Sequence, residues 1–90
     1  MLERELTISN RLGLHARATA KLVQAVANYP RCNVTLQAKG REVNAKSIMG
    51  VMLLAAGQGT PVIVRVDGEN EANAMADIES LFERRFDEDT

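Results

Sequence analysis

The chain has 90 residues with 11 Lys and Arg, 12 Asp and Glu, and a formal net charge of −1 at pH 7. This length indicates one domain over residues 1–90, and the near-neutral charge argues against nucleic-acid binding. One cysteine and one histidine are too few for an internal disulfide or a four-ligand metal site, so we expect no metal.

The N-terminal residues MLERE are charged, and no apolar run approaches the ~20 residues that span a bilayer. The apolar fraction of 46% and the charged fraction of 26% are typical of a globular protein. We therefore expect a cytoplasmic protein in a reducing environment, with no membrane partner.

The first part of the chain alternates between strand and helix patterns. Residues 2–8 alternate apolar and polar side chains and predict a half-buried strand, and residues 9–13 predict a loop. Residues 16–27 have helical spacing and predict a helix that Pro30 ends. Residues 32–38 alternate again and predict a second strand.

A turn at Lys39-Gly40 leads into a short predicted strand over residues 41–43. The next helix is predicted from about Ser47, as its N-cap, to Ala56, with Gly57 as its stop.

The last predicted strand covers residues 62–67, and the last predicted helix covers residues 71–85 with its apolar face inward. The acidic tail over residues 86–90 is expected to fray. This order predicts an α+β two-layer open-faced sandwich, in which three helices cover one face of a four-stranded antiparallel sheet.

The only histidine, His15, directly precedes the first predicted helix, and Arg17 follows two residues later. A helix N-terminus attracts anions and disfavours imidazolium, which leaves a ring nitrogen with a free lone pair. The backbone N–H groups of Ala16 and Arg17 and the Arg17 guanidinium are suited to binding a phosphoryl group. No second acid or base accompanies His15 in this pattern, which indicates a phosphorylatable histidine and not a hydrolase. On spacing alone, a surface histidine that simply caps a helix is the commoner case.

The stretch GLHAR at residues 13–17 closely resembles the active-site motif of the HPr family, the phosphocarriers of the bacterial phosphoenolpyruvate-dependent phosphotransferase system. The resemblance extends through NAKSIMGVM at residues 44–52, GQGT at residues 57–60 and the order of elements. It implies that His15 accepts a phosphoryl group on Nδ1 from enzyme I, that Arg17 stabilises it, and that a IIA-type protein removes it. We expect a monomer with no cofactor apart from this covalent phosphate.

The motif departs from the family pattern at Ala18, where proline is usual. Together with the acidic end at residues 85–89, this looks more like the nitrogen-related paralogue NPr than the sugar-transport form. Two other functions stay open: a regulatory HPr-like binding protein, and a small enzyme similar to acylphosphatases, although their glycine-rich loop is absent.

The second predicted helix has no polar side chain from Ile48 to Ala56, so part of its apolar surface must face solvent or a partner. The alternative is a helix that is more deeply covered. A polar stripe on the first helix, formed by Arg17, Lys21 and Gln24, would flank this apolar surface and could steer acidic partners, the alternative being an ordinary solvated surface. The residues that we expect to dock partners are Leu14, Lys21, Gln24, Ile48, Met49, Met52 and Leu53.

Ser47 and Cys32 have one structural interpretation each. Ser47 is expected to cap the second helix, and the family resemblance adds phosphorylation of this serine by a dedicated kinase, which would place negative charge on the docking surface. Cys32 is expected to be a small buried strand residue with no redox role.

Overall fold

The computed structural model describes all 90 residues, with four strands and three α-helices. The elements in chain order are β1 (Leu2–Thr7), α1 (Ala16–Ala27), β2 (Cys32–Ala38), β3 (Arg41–Asn44), α2 (Ile48–Leu53), β4 (Pro61–Gly68) and α3 (Glu71–Glu83). A turn at Arg85–Asp87 follows α3, and its three residues have left-handed backbone conformations with φ of 55°, 54° and 63°. No helix is both long and apolar enough to cross a lipid bilayer.

The strands form one antiparallel sheet in the order β1-β4-β2-β3. Alternate residues of β2 and β4 are buried, so one sheet face meets the helices and the other meets solvent. On the solvent face Arg65 of β4 links all four strands, because its guanidinium donates to Glu3, Gln37 and Glu42. The predicted open-faced α+β sandwich is therefore confirmed.

The core lies between the sheet and the inward faces of α1 and α3. The inward face of α3 is apolar and buried, as predicted, and the buried residues of α1 include Thr19, Leu22 and Val26. The buried residues of α3 are Ala74, Met75, Ile78, Leu81 and Phe82. The core residues that are least exposed on the sheet and helices include Leu22, Val26, Val34, Leu36, Val62, Val64, Val66 and Ile78.

Helix α2 is shorter than predicted, because it ends at Leu53 and not at Ala56. Its C-terminal carbonyl groups are bound by side chains from the neighbouring hairpin: Arg41 donates to Leu53 O at 3.3 Å, and Lys39 donates to Ala55 O at 2.7 Å. Ala55 then adopts a left-handed backbone conformation with φ of 49°. These contacts end the helix before the predicted Gly57 stop.

The prediction that the tail over residues 86–90 frays is wrong. Phe86 is fully buried, and the Lys21 ammonium donates to its carbonyl oxygen at 3.0 Å. The backbone N–H of Arg11 donates to the carbonyl oxygen of Thr90 at 2.9 Å. The buried ring and these hydrogen bonds hold the tail against α1 and the loop that precedes it.

Replacement of Phe86 by alanine should lower the free energy of unfolding by about 3–5 kcal/mol, since it empties a fully buried ring site beside Phe82. Chemical denaturation measures this change. The control is Asp89→Ala, an exposed position in the same tail, where the change should stay within about 0.5 kcal/mol. Equal stability of the Phe86 variant and the parent protein would mean that the tail is frayed in solution.

Candidate functional site

His15 is the N-cap residue of α1, as predicted, and its side chain is 30% exposed. Its carbonyl oxygen accepts the first helical hydrogen bond, from the Thr19 N–H at 2.9 Å. The backbone N–H of Arg17 donates to the ring nitrogen Nδ1 of His15 at 3.4 Å. The imidazole therefore lies at the helix N-terminus and caps the first turn through Nδ1.

The loop before His15 is held close to the segment that follows α2. The Leu14 N–H donates to Ala56 O at 2.9 Å, and Gly13 has a φ of +66°. A Cβ at Gly13 would lie 2.5 Å from Ala56 O, so only glycine fits at this position. The prediction that Leu14 docks a partner is wrong, because this close packing turns its side chain into the core, where it is 5% exposed.

The tail brings a carboxylate to the other side of the imidazole. Glu88 Oε2 forms a short hydrogen bond with His15 Nε2, while Glu88 Oε1 accepts from Asn10 Nδ2 at 3.0 Å. Asn10 is fully buried, and the same amide group also donates to Gly13 O at 2.8 Å. The expectation that no acid accompanies His15 is therefore wrong, since a distant residue supplies one.

Burial disfavours ionisation of Glu88, but the hydrogen bonds from Asn10 and His15 outweigh it, and the nearby Arg17 charge acts in the same direction. The pKa of the Glu88 carboxyl is consequently below its ordinary value of 4.5. At neutral pH this group is an ionised acceptor, so His15 Nε2 must be the nitrogen that carries a proton. In the neutral ring Nδ1 then has the lone pair, which accepts from the Arg17 N–H.

Arg17 lies on the first turn of α1, with an exposed side chain. None of the salt bridges in the structure includes it, so its guanidinium is available to an incoming anion. The adjacent Ala16 is also exposed. A ring nitrogen, a guanidinium outside any ion pair and the backbone N–H groups of a first helical turn thus meet at the start of α1, which is an arrangement suited to a phosphoryl group.

Part of the apolar surface of α2 was expected to face outward, and all four apolar residues named for docking on this helix are exposed. The exposed fractions are 51% for Ile48, 75% for Met49, 44% for Met52 and 61% for Leu53. They line an open groove of about 480 Å³, and α2 packs against α1. We call these four residues the apolar patch; its docking role stays a prediction.

The polar residues expected beside this patch differ in their contacts. Gln24 is exposed, whereas the Lys21 ammonium is bound to the tail through Phe86 O and Asp87 Oδ2. Lys21 therefore anchors the tail in this structure.

Ser47 caps α2 as predicted, since its Oγ accepts from the Gly50 N–H at 3.0 Å. Its side chain is exposed next to the apolar patch. Cys32 is a buried free thiol in β2, also as predicted, and burial raises its pKa.

Comparison with known proteins shows the family of the chain. The family described as "PTS HPr component phosphorylation site" matches residues 2–84. The chain belongs to the HPr family. It is 67% identical over 90 residues to the phosphocarrier protein HPr of Xylella fastidiosa (strain Temecula1 / ATCC 700964), with 100% of both chains covered. It is 51% identical over 88 residues to HPr of Cupriavidus necator, with 98% of both covered.

The fold agrees with solved structures of the family. HPr-C-His from Thermoanaerobacter tengcongensis superimposes with a TM-score of 0.95 at 36% identity, with 100% of both chains covered. HPr from Bacillus anthracis superimposes with a TM-score of 0.85 at 30% identity, with 90% of this chain and 95% of that chain covered. The predicted family is confirmed, and the chain is a phosphoryl carrier of the phosphotransferase system.

The tail contacts predict a specific dependence of stability on pH. Hydrogen bonds from Arg84 and Lys21 lower the pKa of the Asp87 carboxyl below its ordinary value of 3.8. The ionised Asp87 carboxylate therefore stabilises the folded state fully above about pH 5. This stabilisation is lost as the pH falls through the lowered pKa of Asp87. Asp87→Asn should be less stable than the parent protein near neutral pH, and the difference should narrow below pH 3.8.

Urea denaturation of both proteins across this range measures the difference. Asp89→Asn serves as the control, because Asp89 is exposed and forms no ion pair. Parallel stability curves for Asp87→Asn and the parent protein would contradict the assignment of this contact.

Proposed function

We propose that His15 is the residue that carries the phosphoryl group, which it takes from enzyme I and gives to a IIA-type protein. The observation that supports this most directly is the contact between Glu88 and Nε2, because it leaves the lone pair of Nδ1 at the helix N-terminus. Nδ1 attacks phosphorus as the bond from phosphorus to the donor breaks, and Arg17 offsets the negative charge on the phosphoryl oxygens. Donation reverses these steps, and the electron pair of the Nδ1–P bond returns to the ring.

In this proposal the chain is consumed and regenerated stoichiometrically as a protein substrate, and it is not an enzyme. It needs no cofactor, because the ring nitrogen holds the transferred group covalently. We propose a cytoplasmic location as well, since Cys32 is a free and buried thiol. The monomeric state and the nitrogen branch stay predictions; Ala18, the sequence feature that favours this branch, is a fully buried residue of α1.

Purified protein incubated with enzyme I and phosphoenolpyruvate should gain one acid-labile phosphate, and His15→Ala should gain none. Intact-protein mass spectrometry before and after acid treatment measures this. Running the reaction with the sugar-branch and nitrogen-branch forms of enzyme I in parallel compares their rates, and we expect the nitrogen-branch enzyme to react faster. An unchanged phosphate signal in His15→Ala would rule out the assignment, and sustained release of inorganic phosphate from acetyl phosphate would indicate an enzyme instead.

Replacement of Arg17 by alanine should slow phosphorylation about tenfold while leaving stability unchanged, because its exposed guanidinium contacts the phosphoryl group and no other side chain. Rapid-quench kinetics measures the rate, and chemical denaturation checks the stability. Arg31→Ala is a matched control on the surface of the loop after α1. Equal rates for the two variants would exclude Arg17 from the site.

We further propose that the apolar patch binds both the donor and the acceptor. The four side chains are exposed together on a helix that packs beside α1, and methionine side chains adapt to partners of different shape. A phosphate on Ser47 would introduce negative charge next to Ile48 and weaken such binding. Phosphorylation of Ser47 by a serine kinase stays a prediction.

The substitution Met49→Glu tests the patch. A carboxylate buried in an apolar interface loses hydration without gaining a partner, so the KM of enzyme I for this protein should rise about tenfold with little change in kcat. Steady-state phosphorylation at varied protein concentration measures both constants. Asn73→Glu adds the same charge on the exposed side of α3 and should leave KM unchanged. A similar KM for both variants would place the docking surface elsewhere.

A further inference from the structure

We propose that Glu88 is a positioning residue for phosphoryl transfer, which keeps the ring proton on the unreactive nitrogen of His15 and offsets the charge that the ring gains on phosphorylation. This inference rests on the proposed role of His15. It starts from the contact between the Glu88 carboxylate and Nε2, on the opposite side of the imidazole from the helix N-terminus.

The Glu88 carboxylate is itself held in place. Its side chain is 13% exposed, less than the 30% of His15, and its second oxygen is bound by the fully buried Asn10. The backbone around Glu88 is anchored on both sides, by the buried ring of Phe86 and by the hydrogen bond from Arg11 to Thr90. The side chain that contacts His15 is therefore held in place by the packing and hydrogen bonds of its own segment.

The charge balance of the reaction gives this carboxylate a function. A neutral His15 ring that attacks phosphorus through Nδ1 loses no proton, so the ring becomes a phosphorylated imidazolium that still carries its Nε2 proton. Positive charge thus develops next to the Glu88 carboxylate, while the negative phosphoryl oxygens develop next to Arg17. A fixed ionised acceptor at Nε2 stabilises the loaded state and selects the reactive tautomer before the attack.

The other carboxylates of the tail are not placed for this task. Asp87 is paired with Lys21 and Arg84, and Asp89 is exposed. The assignment is consequently specific to position 88, and Asp89→Asn provides a matched removal of one negative charge from the next residue.

The first test compares Glu88→Gln with Asp89→Asn in phosphorylation by enzyme I and phosphoenolpyruvate. Glutamine preserves the shape of the side chain but removes its negative charge. Its NH₂ group must also face either Asn10 or His15 Nε2, and both of these groups donate hydrogen bonds in the parent protein. We expect kcat to fall about tenfold with KM unchanged in Glu88→Gln, and both constants to stay unchanged in Asp89→Asn. An unchanged kcat in Glu88→Gln overturns the proposal.

The second test reads the ring directly and needs no phosphoryl donor. Nitrogen-15 NMR at about pH 9, above the usual titration range of imidazole, distinguishes a protonated from an unprotonated ring nitrogen. The parent protein should show the proton on Nε2, and Glu88→Ala should show a larger fraction on Nδ1. The same tautomer in both proteins overturns the positioning role.

The two proposals fail in different ways. If the proposed function is wrong, the parent protein is not phosphorylated, or phosphorylation persists in His15→Ala. Failure of the inference about Glu88 would appear as normal phosphorylation of the parent protein, its loss in His15→Ala, and no effect of Glu88→Gln on kcat.

Discussion

The close approach between Gly13 and Ala56 determines where α1 begins and hence where the imidazole lies. The backbone passes so near to Ala56 O that a Cβ at Gly13 has no room, and the hydrogen bond from Leu14 to the same oxygen locks the loop. Leu14 then enters the core, and His15 becomes the first residue that can turn its side chain back to solvent at the helix end. The same contact couples the start of α1 to the segment that follows α2.

A transferable phosphoryl group requires the two nitrogens of one ring to have different tasks. The structure provides this asymmetry with two elements that are far apart in the sequence. The helix N-terminus offers N–H groups on the Nδ1 side, and the tail offers a carboxylate on the Nε2 side. The ring lies between a positive and a negative environment. In the proposed function, the charge separation that accompanies phosphorylation of this ring would therefore be stabilised by charges that are already in place.

Local periodicity predicted the fold well, because the strands, α1 and α3 are determined by which of their own residues are apolar. The place of His15 at the start of α1 followed from the predicted start of this helix. The end of α2 could not be predicted in this way, since it depends on Lys39 and Arg41 from the neighbouring hairpin. Glu88 was missed for the same reason, because it lies 73 residues from His15 in the sequence. Phe86 was the available signal, as it follows Phe82 by four residues and extends the apolar stripe of α3 into the tail.

The apolar patch and the site make different demands on the partners, and this difference suits a carrier. In the proposed function, the donor and the acceptor both have to reach the Nδ1 atom of His15, so they would bind one after the other and each complex would have to dissociate quickly. Four exposed side chains on a six-residue helix offer adaptable apolar contact over a small area, which favours weak and exchangeable binding. In this proposal the chemistry comes from groups that do not depend on the partner, namely the helix N-terminus, Arg17 and the Glu88 carboxylate. This separation of recognition from chemistry would let partners of different shape use one histidine.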